Sequence, residues 1–290
     1  MDNKLQELTL EHQRLINSFW KPLRLKYDLC FAEYSFTNAF LYRRQNSYEI
    51  LEGNPPFVRG KFPEGYPYLI PSVAPDELLP LLKNTPPHHC IFPIPDDWVD
   101  PFRDSGKKMS FTLSDSDYLF HKSKLQTLKG RDLSSRRNLL HQLTHSHQLD
   151  VKPLTEGERA DAWNVTELWQ SHSSLSKEQT DYYSCKDALE FMEPLELFGR
   201  IAYADGEVIG YTIGELLTPK TALLHVVKAN HAYKGAVPFL NQDFAQNLPD
   251  SVEWINMEQD LGIPSLRQAK KAYDPDRLVT KWRICDPGCY

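Results

Sequence analysis

The stretch FGRIAYADGEVIGYTIGELL, residues 198–217, narrows the folds open to this chain more than any other. It sets apolar-rich runs on either side of Asp205-Gly206, a dipeptide suited to the positive backbone angles of a two-residue hairpin, so it predicts two antiparallel strands. A helix, LTEGERADAWNVTELWQSH (154–172), precedes the hairpin. After it, TALLHVVKAN (221–230) has the form of a strand and KGAVPFLNQDFAQNL (234–248) that of a helix opening after Gly235. SVEWINM (251–257) is a strand, PSLRQAKKAY (264–273) a proline-started helix and RLVTKWRI (277–284) a last strand. A helix, a strand meander and then alternating helices and strands describe a mixed, largely antiparallel sheet flanked by helices, an α/β (α+β) architecture.

The first half carries a looser version of the same order. Residues 4–19 have Leu5, Leu8, Leu15, Ile16 and Phe19 roughly on one helical face, with Trp20-Lys21-Pro22 as the expected end. Ser35 can cap a short helix over 35–44. Short strands at 47–53, 57–62 and 66–71, a helix at 74–84 and a strand at 88–95 complete it. SFTLSDSDYLFH (110–121) alternates as one strand, and 131–147 fits a helix with Leu133, Leu139, Leu140 and Leu143 inward. The chain's 290 residues exceed one usual core. Two domains of about 140 residues are expected, with one large domain as the alternative. The boundaries predicted are 1–115, a connecting strand and basic helix over 116–150, and 151–290.

Several function classes are disfavoured. No apolar run approaches the roughly 18 residues of a membrane span, and the polar, amphipathic start does not read as a secretory signal, so a cytoplasmic protein is expected. Five cysteines (Cys30, Cys90, Cys185, Cys285, Cys289) include no C-x-x-C pair; they are expected as buried or terminal thiols rather than a disulfide framework or zinc site. His88-His89-Cys90 lacks a fourth ligand at metal spacing, and G-x-S-x-G, Walker and G-x-G-x-x-G motifs are absent, so no metal and no tightly bound cofactor is expected. The net charge is −6, yet residues 117–147 hold six Lys/Arg against Asp117 and Asp132, a local +4. Such an island suits a phosphate-bearing ligand better than duplex DNA.

The segment INMEQDLGIPSLRQAKKAYDP (255–275) gathers Glu258, Asp260, Arg267, Lys270, Lys271 and Tyr273 where a strand ends and a helix begins, a place where α/β folds hold ligands. Glu258 and Asp260 could bind an ammonium or take a proton from an attacking amine; Asp260 could equally pair with Arg267 or cap the helix. Leu266, Ala269 and Tyr273 form a packing stripe beside Arg267 and Lys270, and a salt-bridged surface helix would have the same letters. Lys228, at the end of a buried-looking strand, is either an edge lysine or a cation facing a cleft with Glu258 and Asp260 as partners. Arg131, Arg136, Arg137 and Asn138 belong to a basic helix that is either solvated or ligand-binding.

Five stretches, EYSFTNAFLYR (33–43), LKGRDLSSRRN (128–138), VIGYTIGE (208–215), LHVVKAN…YKGA (224–236) and 255–275, together resemble soluble proteins related to the C-terminal domain of phosphatidylglycerol lysyltransferases. The resemblance implies two tandem GNAT-like (N-acetyltransferase) units, similar to lysylphosphatidylglycerol synthases and to Fem-type transferases, relatives that move an aminoacyl group from charged tRNA to an amine or hydroxyl. It implies a donor that is aminoacyl-tRNA, through its acceptor end, or an acyl thioester such as acyl-CoA. It also implies a site in the second unit, where a splayed strand, here LLHVVKAN, polarises the donor carbonyl and the next helix start, here Lys234 and Gly235, receives a phosphate. Two departures bear on the acceptor: there is no transmembrane region, and the last motif has the Asp-Leu-Gly-Ile-x-x-Leu-Arg-x-x-Lys form rather than Trp-Glu-Pro-Arg-Tyr. The usual Gln/Arg-x-x-Gly-x-Gly/Ala phosphate loop is reduced to Lys234, Gly235 and Ala236, which leaves a catalytically degenerate ligand- or partner-binding protein as the alternative.

Overall fold

The computed structural model describes residues 5–51, 53–82 and 89–287. His88 and Cys289, and the expected helix ends at Lys4 and at 83–84, lie outside them. The chain divides into two compact units: unit 1 is Met1–Asp117 with Val279–Tyr290, and unit 2 is Tyr118–Leu278.

Unit 1 runs β1 (Leu5–Glu7), α1 (Gln13–Tyr27), α2 (Phe36–Leu41), β2 (Glu49–Leu51), β3 (Phe57–Lys61), β4 (Pro67–Ile70), α3 (Pro75–Leu82), β5 (Cys90–Ile94) and β6 (Lys108–Phe111). Unit 2 follows with β7 (Asp117–His121), α4 (Lys122–Thr127), α5 (Ser134–Ser146), β8 (Leu149–Pro153), α6 (Arg159–Ser171), α7 (Tyr182–Glu190), β9 (Phe198–Ala204) and β10 (Glu207–Thr218). It continues through β11 (Thr221–Ala229), α8 (Ala236–Gln246), β12 (Trp254–Asn256), α9 (Pro264–Lys271) and β13 (Arg277–Val279), and the chain ends with β14 (Trp282–Cys285).

The two seven-stranded sheets repeat one plan: β1-β2-β3-β4-β5-β14-β6 and, from its other end, β8-β9-β10-β11-β12-β7-β13. Four antiparallel neighbours lead in each to a parallel pair, β4/β5 and β11/β12, and then to an antiparallel strand. The repeat expected from element order alone is therefore present as topology. The sixth place is filled in each sheet from a distant part of the chain. Thus all but the first two residues of 116–150, expected as a connection, lie inside unit 2, and β14, expected in the second unit, lies in the sheet of unit 1.

Local chemistry accounts for most elements. The Ser35 hydroxyl accepts from the Asn38 N–H and caps α2 as expected. The first helix differs from expectation: Leu5–Glu7 pairs with β2, and α1 continues through Pro22 to Tyr27. Burial of Ile16, Trp20 and Leu23 along one face outweighs the missing N–H at Pro22. The 110–121 strand is broken into β6 and β7, and 277–284 into β13 and β14. Cys90 and Cys285, expected as thiols, stand directly opposite each other in the β5/β14 register and form a disulfide. Spacing cannot show that pairing, because 195 residues separate the two.

In unit 2, α8 lies on the sheet with Leu240 and Phe244 buried against β10 and β11; each such side chain contributes about 1.5–3 kcal/mol by leaving water. The approach is close enough to require glycine at position 214, where a Cβ would stand 2.4 Å from the Leu223 carbonyl oxygen and 2.7 Å from the Phe244 ring.

Candidate functional site

β11 is paired with β12 only where Thr221–Leu223 faces Trp254–Asn256, and then runs on to Ala229 while the partner strand ends. At the same level its register with β10 slips: Gly214 faces Leu224 but Ile213 faces Val226, which leaves His225 as the extra residue of a β-bulge. The bulge puts His225 between two carboxylates, with Nδ1 2.7 Å from Glu258 Oε1 and Nε2 3.1 Å from Glu215 Oε1. Its ring is wholly buried, whereas the Glu215 and Glu258 side chains keep 10% and 12% exposure, so the carboxylates and not the imidazole meet solvent.

Burial alone would push the His225 pKa down, but hydrogen bonds and charge from Glu215 and Glu258 outweigh it and hold it at about 9. At neutral pH the ring is an imidazolium donating from both nitrogens. Such a group is no general base; it fixes the two carboxylates. Glu258 leaves β12 with a positive φ of 61°, unusual for a residue with a side chain, and its N–H donates to Asn256 Oδ1 at 2.6 Å. The backbone clasp and the imidazolium together aim this carboxylate at the place where β11 and β12 part.

Glu258 and Asp260, expected as a pair, diverge. Asp260 is fully buried and receives Arg267 through both oxygens (Nε–Oδ2 2.7 Å, Nη2–Oδ1 2.9 Å), the Tyr118 hydroxyl at 2.6 Å and the Gly262 N–H at 2.8 Å. Burial opposes its charge, yet these donors outweigh it and keep its pKa below the ordinary carboxylate range. Of the two structural alternatives for Asp260, the Arg267 pair is realised and the helix cap is not: Ile263 is the N-cap of α9 without a side-chain bond, and Asp260 accepts from Gly262 in the turn ahead of it. Lys270 donates to the Gln259 carbonyl. Arg267, Lys270 and Asp260 thus fasten the 258–271 segment.

Lys228, expected opposite Glu258 and Asp260, instead bonds Asp181 Oδ1 at 2.6 Å with its ammonium 3.4 Å from the centre of the Trp169 ring, bringing α6 and the start of α7 to β11. Of the basic stretch, Arg131 and Asn138 are exposed, Arg137 donates to the Leu128 and Gly130 carbonyls, and Arg136 lies over the Tyr273 ring at 5.4 Å. Tyr273 is buried, with burial pushing its hydroxyl up to about 12. Lys234 is exposed, and Gly235 caps α8 at a φ of 97°, where a Cβ would stand 2.3 Å from the Leu139 carbonyl oxygen, so α8 starts hard against α5.

Sequence reasoning missed His225 and Glu215. The signal was a histidine interrupting the otherwise apolar TALLHVV beside a strand that closes on Glu215. Among the described residues no group of three or more His, Cys, Asp and Glu is arranged to hold a metal ion, and no helix is long and apolar enough to cross a membrane.

A strand that parts from its parallel neighbour beyond a bulge, with a helix opening next to the parted stretch, marks unit 2 as GNAT-like, and the repeated sheet marks the chain as a tandem GNAT-like protein. The chain belongs to the family of phosphatidylglycerol lysyltransferase C-terminal domains, whose profile matches residues 31–285. Its family and fold are those of GNAT-like transferases. A conserved protein of unknown function from Bacteroides thetaiotaomicron is similar over 98% of this chain and 99% of its own, at 21% identity and a TM-score of 0.82. The C-terminal domain of a putative lysylphosphatidylglycerol synthetase from Agrobacterium fabrum superposes over 96% of this chain and 92% of its own, at 14% identity and a TM-score of 0.63. FemX does so over 97% and 96%, at 9% identity and a TM-score of 0.57. No curated protein matches the chain significantly.

Proposed function

We propose that this protein is an acyl- or aminoacyltransferase that moves its group from charged tRNA or an acyl thioester to an amine or hydroxyl acceptor, at the parting of β11 and β12. The observation that carries the reading is the Glu258 carboxylate, held by the His225 imidazolium and the Asn256 side chain where the two strands separate. In this reading the donor carbonyl lies along the parted stretch of β11, whose backbone N–H groups stabilise the oxyanion of the tetrahedral intermediate. The acceptor nitrogen or oxygen bonds to the carbonyl carbon and gives its proton to Glu258; the ester or thioester bond then breaks, and the leaving oxygen or sulfur takes a proton. The start of α8, with Lys234 and Gly235, and the exposed Arg131 and Asn138 offer positive charge and N–H groups to donor phosphates.

A binding protein without chemistry is the second reading. It is favoured by the fact that Lys228 and Asp260, two of the three residues expected to be catalytic, are engaged within the chain. Purified protein offered a panel of aminoacyl-tRNAs and acyl-CoAs, with amine and hydroxyl acceptors, separates the two. Acyl transfer or donor hydrolysis above the uncatalysed rate is expected; tight binding of a donor with neither would leave the binding protein.

A further inference from the structure

On α5 the sequence HQLTH, residues 141–145, sets two histidines one helical turn apart on the same face. Both are exposed, and their ring centres stand 6.0 Å apart. The His145 Nδ1 lies 2.8 Å from the His141 carbonyl oxygen. A carbonyl oxygen only accepts, so Nδ1 carries the proton and Nε2 the lone pair. A metal-ligating histidine is held in the same way, one ring N–H donating to a backbone carbonyl while the other nitrogen is left for the cation. Among the described residues no hydrogen bond engages the His141 ring, so its lone pair is available as well. His88-His89-Cys90 decided the expectation of no metal; the H-x-x-x-H of α5 is a different pattern, which only a helix brings together.

The separation decides whether the pair can share one ion. A metal about 2.0–2.1 Å from an imidazole nitrogen lies about 3.2 Å from the ring centre, so two rings on one ion stand about 4.5 Å apart at a right angle and about 6.4 Å apart in line. The observed 6.0 Å falls inside that range, and rotation of the exposed His141 side chain turns its nitrogen toward a common point. Among the described residues no third His, Cys, Asp or Glu joins the pair, so water completes the shell. Two imidazoles with water suit nickel(II), copper(II) or zinc(II), whereas magnesium and calcium take oxygen ligands. We propose that His141 and His145 form a two-histidine site for a divalent cation of the nickel, copper and zinc class, on the exposed face of α5. The site stands independently of the transferase reading. An ion shared by the pair ties adjacent turns of α5 together and binds the folded helix in preference to the unfolded chain, so occupancy stabilises it. The same helix carries Arg136 over the Tyr273 ring and sets its Leu139 carbonyl against Gly235, so the ion stiffens the wall on which the start of α8 rests.

Calorimetric titration of nickel(II) and zinc(II) chlorides into wild-type, His141→Ala, His145→Ala and doubly substituted protein tests this, beside melting curves with and without each metal. Magnesium chloride is the control cation. The wild type is expected to bind nickel(II) or zinc(II) at least tenfold more tightly than either single variant, and the double variant to match the singles, because one imidazole alone has lost the chelate. The ion that binds should raise the melting temperature of the wild type and not of the variants, and magnesium should raise neither. His147→Ala, whose ring is held by Asp205, should bind as the wild type does. Without metal the His141 and His145 variants should melt no lower than the wild type, since both rings are exposed and alanine favours a helix. Single variants within twofold of wild type, wild-type binding no tighter than that of the double variant, or a loss of binding in His147→Ala equal to that in His141→Ala would overturn the site. Transfer in the donor panel is unaffected by any of these results.

Discussion

Lys281→Met is expected to lower the unfolding free energy by about 3–5 kcal/mol, the cost of removing one partner from a buried ion cluster. Lys281 is wholly buried in unit 1, with Nζ 2.6 Å from Asp117 Oδ1 and 2.8 Å from Glu33 Oε1. Asp117 also accepts from the Ala32 N–H at 2.9 Å, so the cluster ties the residues before β14 to the start of β7 and the segment before α2. Burial alone would lower the Lys281 pKa, but the two carboxylates outweigh it and hold the ammonium firmly charged. Burial raises Glu33 to about 7 in spite of Lys281. Methionine would leave two carboxylates buried without a cation, and denaturant titration at pH 7 reads the loss. The triple variant Lys281→Met, Glu33→Gln, Asp117→Asn should recover much of it, since no uncompensated charge remains; a single variant as stable as wild type would show that the cluster is solvated.

His225→Leu is expected to produce a loss of similar size in unit 2, because Glu215 and Glu258 would face each other without the imidazolium. The wild type carries a pH signature of the same interaction. A histidine whose folded pKa is raised from 6.5 to about 9 contributes stability that is complete below pH 6.5 and lost as the pH climbs to 9. The shift corresponds to about 3 kcal/mol. Glu33, an acid raised by burial to about 7, loses stability in the same direction but is already half titrated at pH 7 and has little left to lose above it, so most of the slope from pH 7 to 9 belongs to His225. Urea midpoints at pH 7 and 9 should fall in the wild type and stay level in His225→Leu. Equal slopes in the two proteins would mean that the ring is neutral.

The second unit was the more legible in the sequence, for a physical reason. Asp205-Gly206 fixes a hairpin register locally, and Pro264 and Gly235 mark helix starts through their own backbone limits. What escaped depends on partners far along the chain. β7 and β14 occupy corresponding places in the two sheets, and no local pattern says which sheet a short apolar strand will join. The Cys90–Cys285 bond has the same character. In the site, Glu258, Asp260, Arg267 and Lys270 were found by charge clustering and the Asp260–Arg267 pair stood among the alternatives, but the His225 partner of Glu258 was missed, because one residue of bulge at His225 decides which carboxylate faces the gap. Alternation in TALLHVVKAN gives no sign of that extra residue.

The proposed part of Glu258 in acyl transfer, at the parting of β11 and β12, can be read from single-turnover transfer by Glu258→Gln, with Asp260→Asn as comparison. Glutamine keeps the shape and leaves the His225–Glu215 pair in place. For Glu258→Gln a transfer rate at least about 100-fold below wild type is expected, in the range of a lost general base, with donor affinity and melting temperature little changed. For Asp260→Asn a lowered melting temperature is expected, from the weakened Arg267 bond, and a near-normal rate in the folded fraction. Wild-type transfer rates for Glu258→Gln, or a rate loss explained wholly by its unfolding, would contradict the part proposed for Glu258.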